Sequence, residues 1–161
     1  MPQDREQFMR FAIEEAAKGG AEGNAAVGSV ITRDGAVVAR GRNLVTTTHD
    51  PTAHAETVAL REAGPSLGND DLAGCTLYTT FEPCPMCCGA LMASGISTLV
   101  MGARPEPSES RWRNYAVEKL LALAGWDERL DIVTGVLVPE CLEVRRHWEE
   151  RNSQGGPSGL R

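Results

Sequence analysis
The chain of 161 residues carries 16 Lys and Arg against 22 Asp and Glu, a formal net charge of −6, with 42% hydrophobic residues, which sizes it as one domain with an ordinary core. Affinity for polynucleotides comes largely from Lys and Arg neutralising phosphates, so this balance argues against a nucleic-acid partner and favours a small molecule. No apolar run approaches the roughly 18 residues of a membrane span, and the charged start Met1-Pro2-Gln3-Asp4-Arg5-Glu6 is unlike a secretion signal, so a cytoplasmic protein is expected.

The spacing of Phe8, Phe11, Ile13, Ala16 and Ala17 predicts a first helix that stops at Gly19-Gly20. Two short apolar runs follow, Ala26-Val27-Gly28-Ser29-Val30-Ile31 and Gly35-Ala36-Val37-Val38-Ala39, joined through Asp34-Gly35. That dipeptide is a hairpin signal, so the runs read as antiparallel strands. After a polar connection from Gly41 to Asp50, a helical pattern through Ala53, Val58, Ala59 and Leu60 ends before Gly64-Pro65. Leu77-Tyr78-Thr79-Thr80-Phe81 is a strand, a helix runs from Cys84 to about Ala93 with Gly95 closing it, and Thr98-Leu99-Val100-Met101 is the next strand. A loop rich in Pro and Ser over 105–110 leads to a helix near 112–124, a strand over 132–138 and a last helix from Pro139 to about Arg151.

From Ser153 onward the composition has too little apolar content to pack, which bounds a single domain at residues 1–152 and leaves 153–161 as a disordered tail. Helix, hairpin, then alternating helix and strand predict a layered α/β domain with helices on both faces of a mixed sheet. No glycine-rich phosphate loop is present.

The five cysteines, Cys75, Cys84, Cys87, Cys88 and Cys141, are an odd number and make a poor disulfide framework. Metal binding or buried thiols fit better. Cys84 and Cys87 stand three apart at a helix start, which puts both sulfurs on one side, where the unpaired N–H groups favour thiolates. His54 opens the helix before them. Catalytic zinc sites use three protein ligands and structural ones four, and His54, Cys84 and Cys87 are three, for one zinc per chain. Glu56, two residues after His54, is placed to take a proton from a water made acidic by the metal and to return it to the substrate.

His-x-Glu followed by Pro-Cys-x-x-Cys is an established signature of zinc deaminases, and here it reads His54-Ala55-Glu56 and Pro83-Cys84-Pro85-Met86-Cys87. With Gly41-Arg42-Asn43, Asp50-Pro51-Thr52-Ala53 and Leu77-Tyr78-Thr79-Thr80, the chain resembles the cytidine deaminase-like superfamily over about Gly28 to Met101. It is similar above all to the branch of guanine deaminases, cytosine deaminases and tRNA adenosine deaminases. The resemblance implies a three-layer α/β/α sandwich with a five-stranded mixed sheet, a homo-oligomer such as a dimer, an Asn43 side chain on the ring edge of the base, and backbone near Ala55 holding a carbonyl oxygen.

Other residues keep two readings. Trp148, on the last helix, is a pocket wall or core packing, and His49 lines the site or caps a turn. Arg145-Arg146 and Arg111-Trp112-Arg113 touch phosphate or form solvated faces. Cys75, Cys88 and Cys141 read as buried thiols. The expected function is zinc-dependent hydrolytic deamination of a free nucleobase or related amino-heterocycle of the cytosine or guanine type. The alternatives are a tRNA adenosine deaminase acting on an anticodon base and a noncatalytic zinc-stabilised scaffold. The acidic balance and Pro105, where tRNA-acting relatives carry aspartate, weigh against the tRNA reading. Pro107 falls where guanine deaminases carry an acidic residue, with Glu106 and Glu109 as substitutes, and Glu56 weighs against a scaffold.

Overall fold
The computed structural model describes residues 2–153; Met1 and residues 154–161, and with them nearly all of the expected tail, lie outside the described residues. In chain order the elements are α1 (Pro2–Ala21), β1 (Gly28–Arg33), β2 (Ala36–Arg42), α2 (Val45–Thr48), α3 (Ala55–Leu67), β3 (Thr76–Phe81), α4 (Pro85–Ser94), β4 (Thr98–Ala103), α5 (Val117–Leu123), β5 (Asp131–Val133) and α6 (Val138–Asn152). No described helix is long and apolar enough to cross a membrane.

The strands form one five-stranded mixed sheet in the order β2-β1-β3-β4-β5, antiparallel on the β2-β1-β3 side and parallel from β3 to β5. Asp34 and Gly35 both adopt positive φ, 51° and 76°, which is the two-residue turn that matches the twist of a hairpin. Successive side chains on a strand face opposite ways, and this sheet is covered on both faces. Ile31, Leu77 and Leu99 line up in register and pack under α3, α4 and α5, while their neighbours Val30, Tyr78 and Val100 line up on the other face with α1 and α6. Double burial is why these strands read as nearly continuous apolar runs.

Four of the boundaries that differ from the sequence expectation each have a physical reason. Helix α1 passes through Gly19-Gly20 because both glycines are buried against neighbours; a Cβ on Gly20 would stand 3.3 Å from the Ala26 Cβ. Helix α3 continues through Gly64-Pro65 to the left-handed Gly68, whose N–H bonds the Pro65 carbonyl while the Asn69 N–H bonds that of Gly64. With no Cβ, Gly64 escapes the clash that normally bars helix before proline. The helix expected over 112–124 is confined to α5, because Arg113 has φ 39° and the Ser110 hydroxyl accepts the Trp112 N–H at 3.1 Å, a local bond that competes with helix. Strand β5 stops at Val133, where Gly135 and Leu137 at positive φ turn the chain into α6.

Gly41 fixes how α3 lies on the sheet. A Cβ there would meet the Ala55 carbonyl oxygen at 2.4 Å and the Ala59 nitrogen at 2.5 Å, so β2 and α3 touch backbone to backbone. Gly41→Ala is expected to push α3 outward and lower stability by about 1–3 kcal/mol, read as a lower midpoint in urea unfolding. An unchanged midpoint would show that α3 is not held at this contact.

Candidate metal and catalytic site
Helices α3 and α4 pack together on one face of the sheet. His54 is the N-cap of α3 and Cys84 the N-cap of α4, both in extended backbone (ψ 155° and 171°) and neither using its side chain to cap. Both side chains are thereby left for another partner. Pro85 opens α4, where its missing N–H costs nothing, and Cys87 follows in the same turn.

His54 Nδ1 lies 3.5 Å from Cys84 Sγ and 3.6 Å from Cys87 Sγ, and the three ligand atoms fall within 4.8 Å of one another. A tetrahedral zinc with bonds of about 2.0–2.1 Å to nitrogen and 2.3 Å to sulfur separates N from S by about 3.6 Å. The donor set fits that ion in both spacing and chemistry. The Cys87 thiol bonds Cys84 and holds it as a thiolate, well below the usual thiol range, while the same bond and burial keep the proton on Cys87. His54 is raised, chiefly by its hydrogen bond with Cys84. Zinc held by these three residues supplies the Lewis acidity that makes a water nucleophilic near neutral pH.

Glu56, on the first turn of α3, is 4% exposed. Its Oε1 accepts from the Thr79 hydroxyl at 3.2 Å and its Oε2 from the Cys87 thiol at 3.5 Å. Burial pushes its pKa up, so the carboxyl takes and holds a proton more readily than a solvated glutamate.

Asn43, His54, Ala55, Glu56, Phe81 and Cys84 line a single cavity. The Asn43 Oδ1 accepts the Val45 N–H at 3.0 Å, which leaves the amide NH2 for a ligand. The Ala55 N–H belongs to the first turn of α3, where the helix has no acceptor for it. The mouth is built by Pro105, Glu109, Arg111 and Trp112 from the loop after β4 and by Arg145 from α6.

Trp148 is not among the residues that line the cavity. Its Cβ lies 3.7 Å from where a Gly20 Cβ would stand, so it packs on α1, and Arg145 one turn earlier takes the wall position. His49 is exposed and left-handed (φ 53°) at the end of α2, away from the lining. In the run 111–113, Arg111 and Trp112 line the mouth and Arg113 does not. Cys75, Cys88 and Cys141 are buried free thiols.

Two site residues carried no sequence signal. Thr79 reads as an ordinary strand residue, yet it orients Glu56. Tyr115 donates to the Pro83 carbonyl at 2.5 Å, tying down the loop before Cys84 from 32 residues away.

The family of the cytidine and deoxycytidylate deaminase zinc-binding region matches residues 2–103. The chain is 39% identical over 141 residues to the tRNA-specific adenosine deaminase of Bacillus subtilis, covering 88% of this chain and 85% of that one. It is 48% identical over 89 residues to the guanine deaminase of the same organism, covering 55% of this chain and 57% of that one. It is also 48% identical over 98 residues to the chloroplastic tRNA(adenine(34)) deaminase of Arabidopsis thaliana, covering 61% of this chain but only 8% of that much longer protein. A solved structure from studies of A-to-I editing by tRNA:A34 deaminases superposes with a TM-score of 0.74 at 33% identity, covering 86% of this chain and 98% of that one. With the three zinc donors and Glu56 in place, the chain belongs to the cytidine and deoxycytidylate deaminase zinc-binding family and is a hydrolytic, zinc-dependent deaminase of the nucleobase and nucleoside class.

Proposed function
We propose that the substrate is adenosine in a tRNA anticodon, converted to inosine with release of ammonia. The observation that carries this reading is the length of the likeness to the Bacillus subtilis tRNA-specific enzyme. It extends well past the zinc-binding region into the part of the chain that builds the cavity mouth, whereas the sequence likeness to the guanine deaminase of the same organism spans 55% of this chain. An exposed aromatic, Trp112, and two arginines, Arg111 and Arg145, at that mouth are groups that serve an unstacked nucleotide and its neighbours. The net charge of −6 is a property of the whole surface and does not describe this patch.

In the reaction, water oxygen joins the purine C6 and the exocyclic nitrogen leaves as ammonia. Glu56 Oε2 takes one water proton and passes it to ring N1, then takes the second from the oxygen now bonded to C6 and gives it to the departing amine, with Thr79 holding Oε1 still. Asn43 NH2 meets an acceptor on the nucleotide, and the Ala55 N–H meets the oxygen that develops at C6.

Free guanine is the second reading, favoured by Glu109, whose carboxylate lines the mouth and suits the N–H donors of a guanine edge. The test is product formation on an anticodon stem-loop bearing adenosine at position 34, beside adenosine, adenine, guanine and cytosine. Stem-loop inosine at a kcat/KM at least about 100-fold above any free base is expected, given the binding energy that flanking nucleotides contribute. Faster turnover of guanine would move the assignment to the second reading.

A further inference from the structure
Arg145 stands out on α6. Its side chain is only 15% exposed, whereas that of Arg146 beside it is 50% exposed and tied to Glu143 and Glu150 on its own helix. The Arg145 guanidinium lies 4.2 Å over the Phe81 ring, and its Nε meets Glu149 at 3.1 Å. Ring and carboxylate fix the plane of the fork. Glu149 is its one polar partner among the described residues, and neither Nη is sealed in the interior. Those four N–H donors belong to a side chain that lines the cavity, and they have no protein partner among the described residues.

We infer that Arg145 is a specificity-determining residue whose guanidinium fork receives a phosphate attached to the reacting nucleotide, an inference that rests on the tRNA reading above. A planar fork presenting paired N–H groups matches two phosphate oxygens. Glu149 engages only Nε, and burial weakens the competition from water, so an anion meeting the Nη groups is held more firmly here than at a solvated arginine. Arg111 across the mouth adds to the attraction, and Glu109 on the rim disfavours a phosphate seated on its own side. The phosphate thus settles toward α6. A bare base lacks the group that Arg145 reads, so the residue separates nucleotides from free bases without touching the reacting atoms.

The experiment compares the wild type, Arg145→Gln and Arg145→Lys, all zinc-loaded and matched to the wild type in circular dichroism, on three substrates. These are the anticodon stem-loop, adenosine 5′-monophosphate and adenosine. For Arg145→Gln, the fall in kcat/KM on the stem-loop should exceed that on adenosine by about 10- to 100-fold, mainly through KM. The slope of log kcat/KM against log salt should become shallower by about 0.7, the share of one phosphate on a single strand. Arg145→Lys keeps the charge without the fork and should recover only part of the loss; it also carries the test alone if the glutamine variant does not fold. An excess loss shared by the monophosphate identifies the nucleotide's own 5′ phosphate, and one confined to the stem-loop identifies the phosphate on its 3′ side, which the monophosphate lacks. Both support the inference. Equal losses on all three substrates with an unchanged salt slope overturn it while leaving the tRNA reading intact. A wild type that prefers adenosine or a free base to the stem-loop overturns the tRNA reading and the inference with it.

Discussion

Glu56→Gln should keep a full complement of zinc and lose about 10²- to 10⁴-fold in kcat, the range for removing a positioned general acid-base group. Glutamine has the size of glutamate and still accepts from Thr79 at the amide oxygen, so the packing of the first turn of α3 survives. What disappears is the ability of Oε2 to take a proton and give it back. The carboxyl is suited to that task because it is buried, held at Oε1 by Thr79 and raised in pKa by loss of solvent. A solvated glutamate would hold the proton too weakly to return it at the right moment. Metal analysis together with ammonia release on the same sample checks the prediction. Turnover within tenfold of the wild type at full zinc would remove Glu56 from the proton path.

Cys87→Ala should act one level deeper, on the metal itself. Cys87 is fully buried and its sulfur is one of three donors gathered at the starts of α3 and α4. Loss of a group behind a metal ligand costs about 10- to 100-fold in affinity, and loss of the ligand itself should exceed that range. Zinc should be stripped from the variant by a chelator concentration that leaves the wild type loaded, and activity should fall with it. Cys88→Ala is the control, since Cys88 belongs to the apolar cluster under the sheet and not to the donor set. It should keep its zinc. Stoichiometric zinc in purified, chelator-treated Cys87→Ala would mean that the ligand set is wrong.

The parts of this molecule that were legible in its sequence are those fixed by neighbours along the chain. Asp34-Gly35 announces its turn, Gly95 closes α4 at φ 71°, and His54, Cys84 and Cys87 declare themselves because their chemistry and their places at helix starts agree. The short apolar runs about Val30-Ile31 and Leu77-Tyr78 gave strands, and the five strands read in this way agree with the sheet that the family resemblance implies. What stayed hidden depends on partners brought together by the fold. Helix α2 exists because Asn24 accepts the N–H groups of Thr46 and Thr47, more than 20 residues away. Trp148 faces α1 because Gly20 leaves room for it, and Arg145 reaches the cavity because Phe81 offers a ring to lie on. No local pattern encodes such meetings. The acidic total of the chain says nothing about the cavity mouth for the same reason, since a sum over residues does not report which charges share a wall.

The division of the cavity between two stretches of chain bears on how such a protein diversifies. Everything that handles the metal and the proton comes from the stretch between His54 and Cys87 with its supporting Thr79, whereas the mouth comes from the loop after β4 and from α6. Heredity can thus rewrite the mouth by insertion, deletion or drift while the reaction itself is inherited intact. One ancestral chemistry can in this way be retargeted repeatedly, and a chimera that takes residues 104–153 from a relative would be the laboratory version of that history.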